Sequence, residues 1–407
     1  MRHDKRQEAH QHHGAEERPE KARPPGSRFR SYFRHSVIIR GTTTFAFRTT
    51  IMLGIYVHFP FCRVQCSYCA FAVSTDLTLQ ERYIAALLGE IDRRAGSDDV
   101  DTVYFGGGTP SRTERGYLAA VADRIRARFA VTEEAEFSED ITPEAIAFWR
   151  SIGVNRLSIG VQSFRDAELL PLGRVHGAQR ARDAVAVTAA SGMRTSIDLI
   201  LGLPHQTQES FQASMGEAIA SGVGHISLYM LDLEEGSALQ QQVTGGRVSL
   251  PDDEWTADMY LGAVEQFARA GFAQYEISNF ARPGQECRHN LHYWRRDEYH
   301  GFGAGAHSFL SGRRFANARD VRRYIEDATP QFAEVLSDAD VRRETIFLRL
   351  RQVAGIDCDD ITRLCGQEGM EWIDHGVSEG WLQREGSRVA FTASGFLLSN
   401  EFISRLF

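Results

Sequence analysis

The ten residues CRVQCSYCAF, 62 to 71, space three cysteines as C-x₃-C-x₂-C and then offer Phe71 two residues after Cys69, where a fourth thiol would complete the set. Four thiolates make a closed zinc or [4Fe-4S] site, whereas three leave one metal position for something other than the protein. On an iron-sulfur cluster such a position lets a substrate or cofactor bind iron directly. Zinc stays open as a reading only if Cys287 or a histidine supplies a fourth ligand, and the one histidine close to the loop, His58, falls inside an expected strand.

Working outward, the pattern on either side of the loop is that of an α/β protein. Short β-branched or aromatic runs alternate with stretches of helical period between residue 54 and about residue 280, the signature of repeated βα units and a parallel sheet. Strands are expected at 54–59, 101–106, 135–139, 155–161, 195–201 and 225–231, and helices at 77–95, 112–129, 143–151, 178–191, 208–221 and 253–270. The chemically unusual residues fall just past the end of one strand after another. A partial (βα)6 TIM-like barrel, in which those ends converge on one face, therefore fits better than a doubly wound sheet. From residue 338 to 407 the texture changes to two helices, a third helix, a hairpin around Glu385-Gly386-Ser387 and a last helix, which reads as a small winged-helix-like domain. Without a basic face it is a packing or interaction module. Cys358 and Cys365 lie there without a paired ligand pattern and read as small apolar residues.

Composition supports a folded body and narrows its partners. At 407 residues, 43% hydrophobic and 25% charged, the chain is ordinary for a globular protein with a large and a small domain. Residues 1 to 50 carry eleven Lys/Arg against five Asp/Glu, which leaves 35 basic and 49 acidic groups for the rest. Such a body is not a nucleic-acid binder. Six cysteines are too few for a disulfide scaffold, and three of them crowd into eight residues, so a reducing, cytoplasmic compartment is expected. No apolar run of about 18 residues marks a membrane span. Residues 1–51, with four histidines in their first 26 positions and little to bury, read as a disordered, solvated leader or as residues preceding a start at Met52. The acid-free, Arg/Ser/Thr-rich part from Lys21 to Thr50 resembles a mitochondrial transit peptide, but the five acids before it argue against one. The folded protein begins at residue 52, with the main domain running to 337.

The run YVHFPFCRVQCSYCAF resembles the cluster loop of radical S-adenosylmethionine (SAM) enzymes, and Ile55 to about Phe309 is similar to the HemW and oxygen-independent coproporphyrinogen III dehydrogenase group. That resemblance implies a [4Fe-4S] cluster on Cys62, Cys66 and Cys69, with SAM chelating the fourth iron through its amino and carboxylate groups. It places Tyr56 and Tyr68 beside SAM, and Gly107, Gly108 and Thr109 of FGGGTP (105–110) at the methionine end. Gly residues can bring backbone groups close to a ligand. Gln162 of GVQSF and Arg174 of LGRVH match positions for polar groups of SAM, and a guanidinium pairs bidentately with a carboxylate. Asp198 is an acid inside an apolar strand; it is either structurally hydrogen-bonded or an acceptor in the pocket.

At the end of the third strand the family carries Glu-x-Asn-Pro, whereas AEFSEDITPEAI (135–146) is about four residues shorter and lacks the Asn-Pro. Glu139 takes the place of the Glu, either reaching the SAM ribose or marking an altered site. Two residue patterns then separate the branches of the group. Loops of the dehydrogenase resemble C-x₃-C-x₂-C-x-C, so Phe71 points to the heme chaperones, which bind heme and deliver it to respiratory proteins. In ECRHNLHYW (286–294) the resemblance assigns His289, Asn290, Tyr293 and Trp294 to heme, with His292 or Cys287 as alternative ligands. An imidazole can bind heme iron axially, and flat rings pack on the macrocycle. The expected cofactors are the cluster, SAM and heme, and the expected partners are heme-accepting proteins, with membranes reached only through them. The dehydrogenase and an inert SAM-fold scaffold remain the alternatives.

Overall fold

The computed structural model describes residues 52–140, 146–174 and 176–407, so the expectations for residues 1–51 and 141–145 lie outside it. Its centre is six parallel strands in sequential order: β1 (Leu53–Phe59), β2 (Asp99–Gly107), β3 (Ala130–Asp140), β4 (Arg156–Gln162), β5 (Arg194–Leu201) and β6 (His225–Met230). Each expected strand is present; β1, β2, β3 and β5 begin one to five residues before the expected start, β4 one residue after it, and β6 at it. The crossovers are α1 (Gln80–Arg93), α2 (Arg115–Arg128), α3 (Ile146–Ser151), the short α4 (Asp166–Leu169) with α5 (Ala178–Ala190), and α6 (Gln208–Ala220). Alternation explains why these runs form strands: Leu53, Ile55, Val57 and Phe59 pack into the apolar core that α1 and α2 cover. Tyr56 and His58, the intervening positions, turn to a polar interior.

Two later groups of strands widen this sheet. After α7 (Ala238–Thr244) and α8 (Asp253–Arg269), the hairpin β7 (Ala273–Glu276) and β8 (Asn279–Ala281) pairs antiparallel beside β6. Beyond α9 (Arg288–Arg295), β9 (Tyr299–Phe302) lies parallel to β1. β10 (His307–Leu310), β11 (Arg313–Asn317) and, after α10 (Val321–Glu326), β12 (Pro330–Val335) continue outward antiparallel. Among the described residues the order from one edge to the other is β12-β11-β10-β9-β1-β2-β3-β4-β5-β6-β8-β7.

The C-terminal part contains α11 (Asp338–Leu350), β13 (Ile356–Asp357), α12 (Cys358–Ser378), the hairpin β14 (Leu382–Glu385) and β15 (Arg388–Phe391), α13 (Ala393–Leu397) and α14 (Ser399–Ser404). Gly366, at φ 71°, breaks α12 into the two helices expected there. These elements share one apolar core with the sheet: Ile346, Ile373 and Phe402 cluster with Ile197, Leu228 and Phe267. Burying a side chain of this size stabilises the fold by about 1.5–3 kcal/mol. Both Cys358 and Cys365 pack partly buried against that core, as expected of small apolar residues.

Helix α9 plugs the end of the sheet interior where the parallel strands begin. Glu136 is fully buried there, 3.2 Å from Arg194 and 3.9 Å from Arg156, and accepts from the Cys287 thiol and the His289 amide at 3.3 Å each. Arg288 donates to the Asp101 carbonyl at 2.8 Å. His292 Nε2 lies 2.7 Å from Asp101 and Nδ1 lies 3.2 Å from Asp297. Burial pushes the His292 imidazole down, but the hydrogen bonds and charges of Asp101 and Asp297 outweigh it and lift the group to about 9. Because its folded pKa lies above the unfolded value, this contribution is complete below about pH 6.5 and disappears as pH rises through about 9, at most about 3 kcal/mol before screening of the partly exposed carboxylates. The melting temperature of the chain should therefore fall more steeply between pH 7 and 9.5 than that of His292→Gln. Parallel melting curves of the two proteins would place the proton elsewhere.

Candidate functional site

The cysteine loop leaves β1 at Pro60 and is held by its backbone. Cys62 N donates to Ser74 O at 3.0 Å and Ser74 N to Pro60 O at 2.8 Å, a clasp that closes the loop at its base. Its far side is pinned by Ser67, whose N–H and hydroxyl donate to Leu172 O and Pro171 O at 3.0 and 2.9 Å, and whose carbonyl accepts from Leu239 N at 2.8 Å. From the end of β2, Gly108 N and Thr109 N donate to Phe59 O and Phe61 O at 2.8 and 2.9 Å. A Cβ on Gly108 would stand 2.8 Å from the Pro60 carbonyl and 2.9 Å from the Cys62 sulfur. Gly107, at φ 112°, faces the His58 ring. Sequence reading assigned these glycines to the approach of a ligand; the structure gives them a prior duty, the approach of the loop itself.

The three thiols share one electrostatic environment. Burial pushes the Cys62 thiol up, the Thr109 hydroxyl 3.7 Å away opposes this, and the charges of Cys69 and Cys66 add to the rise. Cys69 is likewise raised by burial and by Cys66, with Arg174 drawing both thiols back. A thiol binds a metal as the thiolate, so metal binding here would release protons to solvent, and the three half-buried cysteines of one loop could supply three such ligands. The two residues weighed as a fourth zinc ligand are committed elsewhere. His58 Nδ1 meets the Tyr56 hydroxyl at 2.9 Å and Nε2 the Ala72 carbonyl at 2.7 Å. Cys287 is buried beside Glu136, its thiol pushed up to about 12 by burial and by that carboxylate. The fourth position of the loop carries Phe71, 65% exposed.

Next to the thiols the structure assembles most of the residues matched to SAM. Arg174 donates to the Gly160 carbonyl and, at 3.3 Å, to the Tyr68 hydroxyl, while its Nε is buried with no partner among the described residues. An orphaned guanidinium donor in this corner fits a carboxylate ligand. Tyr68 is raised by burial and feels Arg174, Cys66 and Cys69, so all four lie within reach of one group. Asp198 accepts from Ser158 at 3.3 Å and from Ser227, and burial lifts it to about 6, so it is poised as a hydrogen-bond partner. Gln162 ends β4 in the left-handed region at φ 66°, a conformation that costs a non-glycine residue energy and that clusters at ligand sites. Glu139 stands in β3 beside Phe105 and Leu157; its side chain lies outside the described residues. Sequence reading missed Ser158 and Ser227, although their place on alternate inward positions of β4 and β6 was available as a signal.

The heme-matched segment is divided by the fold. His289 is buried in α9, stacked on Tyr104, its Nδ1 2.9 Å from the Thr102 hydroxyl and its Nε2 2.9 Å from the Tyr293 hydroxyl. Burial pushes it down to about 3, so it is neutral with both nitrogens engaged in this conformation. Asn290 and Trp294 are half-buried in the same helix, the Trp294 carbonyl accepting from Gln352 at 2.7 Å. Of the four, Tyr293 reaches a cavity of about 410 Å³ whose wall includes Tyr56, Phe71, Tyr299 and His307. Phe71, Ala72 and Arg319 also line an adjoining hollow of about 300 Å³.

The glycine contact generates a direct test. Gly108→Ala should displace the cysteine loop and lower the iron taken up per chain on anaerobic reconstitution, with far-ultraviolet circular dichroism unchanged. Gly116→Ala, where a Cβ meets nothing within 4 Å, is the control. Full iron uptake by Gly108→Ala would show that the loop tolerates the lost approach.

Residues 56–218 match the family model of the radical SAM superfamily. The chain is 35% identical to the heme chaperone HemW of Mycobacterium tuberculosis over 372 residues, covering 87% of this chain and 94% of the relative. It is 32% identical to the heme chaperone HemW of Escherichia coli, covering 86% and 97%. The solved coproporphyrinogen III oxidase HemN of Escherichia coli, a radical SAM enzyme, superposes with a TM-score of 0.76 at 22% identity over 88% of this chain and 90% of that one, which shows a shared α/β fold. With about a third of positions identical over nearly the whole length of such relatives, the chain belongs to the HemW family of the radical SAM superfamily.

Proposed function

We propose that this chain is a heme chaperone, binding heme together with a SAM-ligated [4Fe-4S] cluster and passing the heme to respiratory or other heme proteins. The observation that carries the reading is Phe71: an exposed aromatic stands where the oxidase-type loop has its further cysteine, on the rim of an aromatic-walled cavity beside the three thiols. Cys62, Cys66 and Cys69 would hold the cluster, which supplies one exchangeable iron position when bound. Arg174 would pair with the SAM carboxylate through its free Nε. Tyr56, Tyr68, Gly107, Gly108, Thr109, Glu139, Gln162 and Asp198 complete the SAM pocket, with Asp198 accepting from a hydroxyl or amine. Tyr293 would face the heme, and His289 would position its phenol, with Asn290 and Trp294 on the same helix and the Trp294 carbonyl tied to Gln352.

In this reading β1–β6 curve as a partial barrel over residues 52–337, and residues 338–407 form a winged-helix-like domain. The chain works in the cytoplasm, reaches membranes through its recipients and takes no nucleic acid. Among the described residues no helix is long and apolar enough to cross a membrane. A second reading, coproporphyrinogen III oxidation, is favoured by the shared fold alone.

Anaerobic reconstitution followed by heme titration and a coproporphyrinogen III assay separates the two. The wild type should bind about four irons and one heme per chain, lose the iron when the three cysteines become serine, and leave coproporphyrinogen III unconverted. Conversion with consumption of SAM would establish the oxidase instead. Iron retained by the triple variant would move the cluster from these cysteines.

A further inference from the structure

We propose that His307 supplies the axial ligand to heme iron in the cavity beside the cysteine loop, with Arg319 meeting a propionate at its mouth. This assignment rests on the heme reading above and deepens it, because the motif histidine, His289, is spent within α9.

Two histidines line the cavity, and one is free. His58 has both nitrogens hydrogen-bonded, to Tyr56 and Ala72. His307 is exposed, and among the described residues no hydrogen bond engages its ring. Its backbone, by contrast, is fixed. The chain before it turns on Gly303 and Gly305, both at positive φ, with Gly305 N donating to Ala318 O at 2.9 Å and Asn317 N to Ala306 O at 3.0 Å. At Gly301 a Cβ would fall 1.9 Å from the His307 carbonyl, so the turn tolerates only glycine there. An exposed ring without a hydrogen bond on a fixed backbone suits a ligand that must also let go.

The surroundings offer a porphyrin aromatic faces and one cationic partner, with the Glu234 carboxylate also on the wall. Tyr56, Phe71, Tyr293 and Tyr299 give aromatic walls for a flat macrocycle, and Tyr293 and Tyr299 are already packed edge to face at 4.7 Å. Arg319 is shared by the cavity and the hollow beside it, and uses one nitrogen on the Ala70 carbonyl, leaving other donors for a carboxylate. Burial and the neighbouring Arg314 and Arg319 lower the His307 pKa, which keeps its imidazole neutral and able to offer a lone pair to iron.

The test titrates hemin into the anaerobically reconstituted full chain and follows optical and electron paramagnetic resonance spectra. His307→Gly should weaken heme binding at least about tenfold and change the iron spin state. Added imidazole should restore the wild-type spectrum in that variant. Arg319→Ala should weaken binding without altering the spectrum, and Tyr299→Phe should leave the spectrum intact. Iron on the three cysteines, measured in parallel, confirms that the variants are folded. Unchanged spectrum and affinity in His307→Gly, or loss of the wild-type spectrum in Tyr299→Phe, would overturn the assignment and leave the heme reading standing. A wild type that binds no heme would overturn the heme reading itself.

Discussion

Everything at the open end of the sheet depends on how a loop without regular secondary structure is fixed to the ends of two parallel strands. The amides of Gly108 and Thr109 continue the β1–β2 ladder past its last pair, onto Phe59 and Phe61, and so carry strand order into the cysteine loop. A buried backbone amide must be paired, and here the pairing does double duty. Because the Cys62 sulfur packs against the bare Cα of Gly108, the position of one metal-binding thiol is set by the absence of a side chain on the neighbouring strand. The other face of the loop is secured at Ser67 by the segment after α4 and by the start of α7. Three separate crossovers thus converge on ten residues, which is how a parallel sheet can hold a site that no single element contains.

Strands β1 to β6 were legible because each carries apolar residues against the helices on alternate positions and is bounded by turns, a pattern strong enough to survive the polar inward positions. The strands β7 to β12 were not. They are three to six residues long, lie towards the edges of the sheet, and include sequences such as NFA and RRFAN whose partners are set by tertiary contacts rather than by their own periodicity. The helices around the parallel strands fell where their period placed them, while α9, eight residues long and nearly free of aliphatic side chains, was visible only as a motif.

For several of the residues that motif reading singled out, the structure supplies a further physical reason. FGGGTP was singled out as a ligand-approach loop, and its glycines turn out to be required by sterics inside the protein before any ligand arrives. Asp198 was singled out as an expensive acid in an apolar strand; the expense is met by two serines on flanking strands, and the remaining burial still raises its pKa. ECRHNLHYW pairs a histidine with aromatics, and the physical argument for heme was sound for an exposed imidazole. Burial could not be read from the nine residues themselves, because it is imposed by Thr102, Tyr104 and Glu136, which lie more than 150 positions away.

The two ends of the sheet interior therefore differ in kind. Where the strands begin, Glu136 stands between two arginines, and the Asp101 and Asp297 carboxylates flank a raised His292, so opposite charges face one another around α9, although one Arg156 nitrogen has no hydrogen bond among the described residues. Removing one member of such a buried set would leave its partners uncompensated, which favours permanence over exchange. Where the strands end, an arginine nitrogen is orphaned, burial lifts an acid to about 6, burial raises the Cys62 and Cys69 thiols, and a histidine ring faces a cavity with no hydrogen-bond partner among the described residues. Unbalanced groups on a pinned backbone bind what comes to them, and Tyr293 is the physical link between the regions, its ring in the cavity wall and its hydroxyl on His289. Under the proposed heme-chaperone reading, the locked end would supply the rigidity, and the other end the donors and rings that a ligand could engage.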